Sequence, residues 1–357
     1  MAKKLFLPGP TQVHPDVLAK MAEPMISHRG KDASALQRRI AEKMQQVFYT
    51  KNKIVLSTTS GTGLMEGAIR SCTEKRAIVF SVGAFGDRWA EVAKLNNIPV
   101  DVHRENDGEP TMPQTVDKYL ATGKYDVVTI THNETSSGIM NPVSSISEII
   151  AKYPDVLFLM DTVSSAAGAK IEVDKLGVDV CITSSQKALA LPPGLALASV
   201  SQKAQDRVNK IGKRGYYLDL KTLLDFVDKK DNQYPSTPSL SHMFALDFQL
   251  DRIMQEGIEN RFIRHMEMAE FMIEWGNKYF SVFPKAGFES MTLTVMNNTR
   301  NISVADLNAE LGKRNIQIAN GYGDLKEKTF RIAHMGELTM DDMLEVTGHI
   351  EEILKLK

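Results

Sequence analysis

Cysteine is scarce in this sequence, and neither sign of charge predominates. The two cysteines, Cys72 and Cys181, lie in apolar segments without the spacing of a disulfide framework, which favours a reducing compartment. Lys and Arg number 43 against 44 Asp and Glu, so the net charge of -1 argues against a nucleic-acid partner. No apolar run is long enough to span a bilayer, and Pro8 interrupts the start before a signal-peptide core could form. We therefore expect a cytoplasmic protein with no nucleic acid and no membrane as partner.

Metal-ligand spacing is also missing. The 8 histidines show no pairing on one helix face, so we expect no metal site. His265-Met266-Glu267 falls in a helical stretch, where the pattern favours a solvent-exposed face. The sequence by itself supports no arrangement of serine, histidine and aspartate for nucleophilic catalysis.

The chain does contain an alternation of strand-like and helix-like segments from about residue 17 to residue 200. Helical stretches such as Gly63–Cys72 and Asp87–Asn96 separate most of the strands. The predicted strands are Ile54–Ser57, Ala77–Ser81, Val100–Val102, Val127–Thr131, Val156–Met160, Val178–Ile182 and Leu195–Ser201. This alternation predicts an α/β fold with a mainly parallel sheet flanked by helices, in which ligands bind at the carboxyl ends of the strands.

The length of 357 residues exceeds what one core usually holds, so two domains are expected. A long helical section, Ser241–Tyr279, follows the alternating region, and short strands with two helices follow Phe280. We predict an N-terminal arm over residues 1–16, a large domain over 17–247 and a smaller C-terminal α+β domain over 248–357.

Lys187 and Asp161 each follow an apolar stretch that is typical of a buried parallel strand. An amine and a carboxylate at the ends of neighbouring strands suit pyridoxal phosphate, because the lysine can form a Schiff base and the carboxylate can keep the pyridine nitrogen protonated. The alternative is a surface lysine and a helix-capping aspartate, both of which are common.

A glycine-rich segment, Ser57–Gly67, follows the first predicted strand and opens a helix. Its backbone N–H groups and the helix dipole make a seat for an anion. Glu66 occupies the position of the third glycine of a dinucleotide fingerprint, which argues against that motif. A plain tight turn is the alternative.

Further motifs extend over nearly the whole chain. In order they are Leu7-Pro8-Gly9-Pro10-Thr11, Ser60-Gly61-Thr62-Gly63, Gly83-Ala84-Phe85-Gly86-Asp87-Arg88-Trp89, His132-Asn133-Glu134-Thr135-Ser136-Ser137-Gly138, Asp161-Thr162-Val163-Ser164-Ser165, Ser185-Gln186-Lys187-Ala188-Leu189, Tyr234-Pro235-Ser236-Thr237-Pro238 and Phe330-Arg331-Ile332-Ala333-His334-Met335-Gly336. In these motifs and their order the chain resembles the class V aminotransferases, the serine–pyruvate and alanine–glyoxylate group of fold-type-I pyridoxal phosphate enzymes.

The resemblance implies a role for each matching residue. Lys187 would form the Schiff base and shuttle a proton, and Asp161 would pair with the pyridine nitrogen. Phe85 and Val163 would pack on the two faces of the pyridine ring, and Thr135 would lie near its phenolic oxygen. The residues that would hold the phosphate are Ser60, Gly61, Thr62 and Gln186.

The resemblance also implies a homodimer with shared active sites, because Tyr234 and Thr237 match residues that reach the phosphate of the neighbouring subunit. Arg331 would bind the substrate α-carboxylate, for which a planar guanidinium is suited, with a structural salt bridge as the alternative. Gly9 and Pro10 would offer backbone groups near the substrate.

The expected reaction is transamination between serine or alanine and glyoxylate or pyruvate. Another donor, phosphoserine or aspartate, would need an extra cation, for which His28, Arg29 and Lys31 are candidates. The family usually continues His28-Arg29 differently from the Gly30-Lys31-Asp32-Ala33 found here, so this departure affects specificity.

Two other classes of protein are less well supported. A cysteine desulfurase would place histidines where Phe85 and Gln186 stand and would have a cysteine late in the chain, but none follows Cys181. A non-catalytic binding subunit would be expected to have lost Lys187 or Asp161.

Overall fold

The computed structural model describes residues 3–356. Its strands are β1 (Lys4–Phe6), β2 (Lys53–Ser57), β3 (Ala77–Ser81), β4 (Val100–Arg104), β5 (Val127–Thr131), β6 (Asn133–Glu134), β7 (Ile139–Met140), β8 (Leu157–Asp161), β9 (Val180–Ser184), β10 (Ala196–Val200), β11 (Ser281–Val282), β12 (Leu293–Asn297), β13 (Ile316–Asn320) and β14 (Thr329–Ala333). Its helices are α1 (Pro15–Lys20), α2 (Lys31–Phe48), α3 (Gly61–Cys72), α4 (Ala84–Leu95), α5 (Pro113–Leu120), α6 (Val143–Ile150), α7 (Gln202–Ile211), α8 (Leu220–Lys229), α9 (Leu240–Glu256), α10 (Ile258–Tyr279), α11 (Val304–Lys313) and α12 (Met340–Leu354). Within residues 3–356, no helix has both the length and the apolar character needed to cross a bilayer.

A 7-stranded sheet in the order β2-β10-β9-β8-β5-β3-β4 forms the centre of the large core. Strands β9, β8, β5, β3 and β4 are mutually parallel, whereas β10 is antiparallel to both of its neighbours. Every residue of β3, β5, β8 and β9 is buried, because helices cover both faces of the sheet. The predicted α/β fold with a mainly parallel sheet is confirmed.

Strands β8 and β9 bring the two predicted key residues to the same edge of this sheet. They are parallel neighbours, with Asp161 opposite Ile182. Asp161 is the last residue of β8, and Lys187 follows the end of β9 in the loop that leads to β10. The predicted placement at the ends of neighbouring strands therefore agrees with the structure.

A 5-stranded sheet in the order β1-β13-β14-β12-β11 forms the second layer. Its core contains Phe330 and Ile332 from β14 together with Met268 and Met272 from α10. Strand β1 pairs in parallel with β13, so part of the predicted arm over residues 1–16 belongs to this sheet; residues 1 and 2 lie outside the described part.

The long helical section is divided in two at Gly257, which has a φ of +86°. The buried face of α9 packs with the large core as far as Ile253, whereas α10 packs with the second core. The predicted boundary at residues 247 and 248 falls within α9, and as a domain division it stays a prediction.

Candidate active site

A cavity of about 380 Å³ opens at the carboxyl ends of the central strands. Most of the site residues predicted from the sequence line it: Gly9, Pro10, Ser60, Gly61, Thr62, Phe85, Asp161, Val163, Gln186 and Lys187. Residues that the sequence reasoning did not assign complete the lining: Met65, Arg88, Ser184 and Pro193.

Lys187 places a buried amine in this cavity. The residue is 7% exposed, and its Nζ donates a hydrogen bond to the backbone oxygen of Pro8. Burial lowers the pKa of Lys187 to about 8, although the charge of Asp161 opposes the shift. Gly9 has a φ of +103°, and a Cβ there would lie 2.7 Å from Lys187 Cδ, so only glycine allows the arm to approach the amine.

Asp161 supplies a buried carboxylate at the end of β8. Its Oδ1 accepts a hydrogen bond of 2.8 Å from the backbone N–H of Val163. Burial raises the pKa of Asp161 to about 7, while that hydrogen bond and the charges of Lys187 and Arg88 lower it. A cationic ring nitrogen beside this carboxylate would lower its pKa further and make it a stable anion.

The N-terminus of α3 has the features of an anion-binding site. Ser60 is the N-cap residue, its side chain makes no capping hydrogen bond, and the first turn carries no acidic residue. A Cβ at Gly61 would lie 2.6 Å from Val163 Cγ2, so only glycine allows the start of α3 to approach Val163 this closely. Within residues 3–356, the buried Ser184 Oγ has no hydrogen-bond partner. The uncapped N-terminus of α3 and the unpartnered Ser184 hydroxyl at the end of β9 fit the phosphate of pyridoxal phosphate.

Phe85 is held in place by a buried carboxylate to which the sequence reasoning gave no role. Glu134 Oε2 accepts hydrogen bonds of 3.0 Å from the backbone N–H groups of Phe85 and Gly86. Its Oε1 accepts from Ser136 N at 3.0 Å and from Ser136 Oγ at 2.7 Å, and Ser136 Oγ accepts from Ala84 N. Glu134 is 0% exposed and completes the N-terminus of α4, so a negative charge on the favourable end of the helix dipole positions Phe85.

Arg88 was also missed. Its guanidinium carbon lies 4.9 Å from the centroid of the Phe85 ring, and its Nη1 is 3.5 Å from Thr62 Oγ1. The spacing of three residues from Phe85 on a helix is the signal that places both side chains on one face.

Arg331 and Thr135 lie beside the cavity rather than in its lining. Arg331 Nε donates to Asn320 O at 3.0 Å, and Nη1 donates to Thr135 O at 3.2 Å. Within residues 3–356 no carboxylate forms an ion pair with Arg331, so the structural salt-bridge alternative finds no support. The positive charge of Arg331 contributes to the lowered pKa of Lys187, which places it within electrostatic range of the amine. The Thr135 hydroxyl pairs with Ser164 Oγ.

Tyr234 and Thr237 do not line the cavity of their own chain. The Tyr234 hydroxyl accepts a hydrogen bond of 3.3 Å from Thr58 N, and Thr237 is exposed. Arg29 donates to the backbone oxygens of Tyr234 and Pro235 at 2.6 and 3.1 Å, so it anchors this loop. The role of Tyr234 and Thr237 in a neighbouring subunit stays a prediction.

A polar cluster around the start of α10 connects the two layers behind Lys187. We call it the α10 joint; its residues are Glu256 at the end of α9, Arg261, Arg264 and His265 on α10, and Gly336 and Glu337 after β14. Arg261 is 1% exposed. Its guanidinium donates to Ala167 O at 3.1 Å, Ala188 O at 2.8 Å, Glu256 Oε2 at 2.6 Å and Glu337 Oε1 at 3.3 Å.

The prediction of a solvent-exposed face at His265 is wrong. His265 is 0% exposed; its Nδ1 donates to Arg261 O at 2.8 Å, and its Nε2 accepts from Gly336 N at 3.1 Å. Burial lowers the pKa of His265 well below its usual value, and the charges of Arg261 and Arg264 add to this. The neighbouring Met266 and Glu267 are exposed, as predicted, because they lie on the other side of the helix.

Comparison with known proteins identifies relatives that cover nearly the whole chain. The family model described as aminotransferase class-V matches residues 5–324. An uncharacterized aminotransferase of Methanocaldococcus jannaschii is 39% identical over 99% of this chain and 93% of that protein. The serine–glyoxylate aminotransferase of Arabidopsis thaliana is 30% identical over 98% and 90%, respectively. The crystal structure of an alanine–glyoxylate aminotransferase from Nostoc sp. superimposes with a TM-score of 0.93 at 26% identity, covering 99% of this chain and 96% of that one.

Proposed function

This chain belongs to the class V aminotransferase family and is a pyridoxal phosphate-dependent aminotransferase, and from this premise we propose that it transfers the amino group of serine or alanine to glyoxylate or pyruvate. The observation that carries the proposal is the buried Lys187 amine beside the buried Asp161 carboxylate at the carboxyl ends of β8 and β9. Two of the relatives are named for serine or alanine as donor and glyoxylate as acceptor.

The cavity residues fit pyridoxal phosphate. Ser60, Gly61, Thr62 and Gln186 would hold the phosphate, Phe85 and Val163 would contact the two ring faces, and Asp161 would pair with the ring nitrogen. Thr135, beside the cavity, would lie near the phenolic oxygen. When bound, the group supplies an aldehyde carbon that an amine can attack and a ring that withdraws electrons.

Lys187 is suited to two tasks. With a pKa of about 8, a substantial fraction of its amine is neutral near physiological pH and can act as a nucleophile. The same Nζ can accept the proton of the substrate α-carbon and return it, while the carbonyl of Pro8 orients the amine.

Arg331 would bind the substrate α-carboxylate. Burial removes its charge from solvent, and among the described residues only backbone carbonyls receive its hydrogen bonds. A buried guanidinium without a carboxylate partner strongly favours one from a ligand, in the bidentate geometry that arginine provides. Gly9 and Pro10 line the cavity next to the amine and would contact the substrate through their backbone.

Aspartate is the second candidate donor. Arg88 is a cationic side chain in the cavity lining that could receive a second carboxylate, and the L-aspartate–glyoxylate aminotransferase of Paracoccus denitrificans is 28% identical to this chain. His28, Arg29 and Lys31, the cations considered from the sequence, are not part of that lining. Phosphoserine has no comparable support in the cavity.

Cysteine desulfuration is not supported. Cys72 and Cys181 are both fully buried, and burial raises the pKa of each thiol, that of Cys181 to about 12. A thiol of this kind is a poor nucleophile, and neither cysteine lines the cavity.

The protein is further proposed to act in the cytoplasm as a homodimer with shared sites, in which Tyr234 and Thr237 serve the partner's phosphate site. Mixing Tyr234→Phe and Lys187→Ala subunits tests this. Hybrids should regain one functional site if the sites are shared, whereas the absence of any regained activity would show that each site is private.

The amino-transfer proposal is tested with purified protein loaded with pyridoxal phosphate. Serine, alanine and aspartate are added singly, and the cofactor absorbance is followed during the first half-reaction. The aminated protein is then mixed with glyoxylate or pyruvate, which should restore the original spectrum. Reaction with aspartate but not with serine or alanine would favour the second candidate, and no spectral change with any of the three would contradict both.

A further inference from the structure

Tyr322 lies between the two layers and contacts a residue of each. It precedes a single 3₁₀ turn, Gly323–Leu325, in the loop from β13 to β14, and it is 37% exposed. Its ring centroid lies 5.8 Å from that of Phe85, and the guanidinium carbon of Arg331 lies 5.6 Å from the same ring. The Tyr322 ring therefore contacts both the residue that would face the cofactor and the residue that would bind the substrate carboxylate.

Tyr322 lines a second cavity, of about 470 Å³. Gly83 and Ala84 also line this cavity, whereas the neighbouring Phe85 lines the first cavity. The contact between Tyr322 and Phe85 therefore joins a residue of one cavity lining to a residue of the other.

The substrate side chain has few directions available. Two groups on the α-carbon are already assigned, because Arg331 binds the carboxylate and the amine must face Lys187. The Tyr322 ring lies against both Arg331 and Phe85, so a substrate side chain directed toward these two residues would meet this ring. Within residues 3–356 the Tyr322 hydroxyl makes no hydrogen bond, so the contacts of this residue are made by its ring.

We propose that Tyr322 is a specificity-determining residue that closes the substrate site toward the second cavity and thereby restricts donors to small side chains. This inference rests on the proposed transamination and adds to it the class of amino donor that the site accepts. It predicts that removal of the ring joins the two cavities and admits donors with long side chains.

The charges that line the second cavity predict which long side chains the enlarged site would prefer. Its lining includes Asp87, Asp107 and Asp324, and its Arg104 is paired with Asp87. Within residues 3–356, Asp107 and Asp324 have no ion-pair partner. The enlarged site should therefore accept lysine better than phenylalanine, and phenylalanine better than glutamate.

The test compares the wild-type protein with Tyr322→Ala and with Tyr322→Phe, which keeps the ring and removes only the hydroxyl. The rate constant of the first half-reaction is measured for alanine, serine, phenylalanine, lysine and glutamate. In Tyr322→Ala the ratio of the phenylalanine or lysine value to the alanine value should rise at least about tenfold, and Tyr322→Phe should keep the wild-type ratio. Tyr322→Leu provides an intermediate size if the alanine variant fails to fold.

Binding is measured separately from turnover with α-methyl amino acids, which have no α-proton to lose. Spectral titration of the cofactor-loaded proteins with α-methylphenylalanine should show tighter binding to Tyr322→Ala than to the wild type. A wild-type protein that already accepts long donors as well as short ones, or a ratio that stays within about twofold in Tyr322→Ala and Tyr322→Leu, would overturn the inference. A wild-type protein that reacts with no donor would instead contradict the proposed transamination, so the two failures are distinguishable.

Discussion

The cavity at the strand ends and the α10 joint both bury charged groups, but they satisfy them in opposite ways. In the joint, the guanidinium of Arg261 donates to two backbone carbonyls and two carboxylates of its own chain. At the cavity, the part of the chain that the structure describes gives the Asp161 carboxylate one backbone donor and gives Arg331, beside the lining, only carbonyl oxygens as acceptors. Buried charge that the chain satisfies itself stabilises the fold, whereas buried charge left partly unsatisfied indicates a ligand.

The largest effect is expected from Lys187→Ala. Transamination should fall by a factor of about 10⁴ or more, because the variant loses both the nucleophile and the proton carrier. The unfolding midpoint in urea should remain close to that of the wild type, because the Lys187 amine makes one hydrogen bond to the residues that the structure describes. Turnover and urea unfolding are measured on the same preparation, and near-normal turnover would contradict the assignment.

Arg261→Ala, unlike Lys187→Ala, should act mainly on the stability of the fold. Removing this side chain leaves Glu256 and Glu337 without their buried partner, which should lower the free energy of unfolding by about 3–5 kcal/mol. Urea unfolding measures this loss, and Arg252→Ala is a matched control, because Arg252 also pairs with Glu337 but is more exposed. Equal destabilisation by the two substitutions would argue against the importance of burial.

Arg331→Ala tests whether the buried arginine beside the cavity has a different role from Arg261 in the α10 joint. We expect the apparent affinity for the amino acid to fall about 100-fold, which corresponds to about 2.7 kcal/mol, because the α-carboxylate loses its bidentate partner. Cofactor content should change little, since Arg331 does not line the cavity that would hold the phosphate. Half-reaction kinetics and bound cofactor are the measurements, and an unchanged affinity would show that another group binds the carboxylate.

The smallest effect concerns pH and the α10 joint. The pKa of His265 lies well below that of an unfolded histidine, so between these values the unfolded chain binds more protons, and stability falls as the pH drops below about 6.5. This residue should contribute a loss of up to about 1.4 kcal/mol per pH unit. Urea unfolding of His265→Gln at pH 5.5 and 7.5 should show a weaker pH dependence than the wild type. His28→Gln, at a half-buried position where no described residue makes a hydrogen bond to the side chain, is the control and should retain the full dependence.

Apolar runs predicted the strands of the large sheet, and the resemblance to class V aminotransferases supplied most of the cavity residues. Apolar runs such as Val127–Thr131 mark buried strands, and residues that follow such strands in a parallel sheet must meet at one edge. For this reason Lys187 and Asp161 could be placed together before the structure was known. The observed strand bounds differ from the predicted ones by up to two residues, as in β9, because the apolar run alone does not determine where strand pairing begins.

Contacts between distant segments could not be predicted in this way. The burial of His265 depends on the Gly336 backbone, which packs against α10 from 71 residues further along the chain. The contact of Tyr322 with Phe85 and the antiparallel pairing of β10 likewise depend on how the layers pack. A helical pattern alone does not show which other segment of the chain covers a histidine. The pattern therefore assigns such a histidine to the solvent-exposed face.

Strand β1 and the residues after it connect two distant parts of the molecule. Phe6 is fixed in the second sheet beside Ile318, and two residues later the carbonyl of Pro8 accepts a hydrogen bond from the Lys187 amine. A linker this short has little slack, because each residue spans at most about 3.6 Å. Any rotation of the second sheet would therefore displace the Pro8 carbonyl, so the orientation of the amine is mechanically linked to the position of that sheet through residues 4–8.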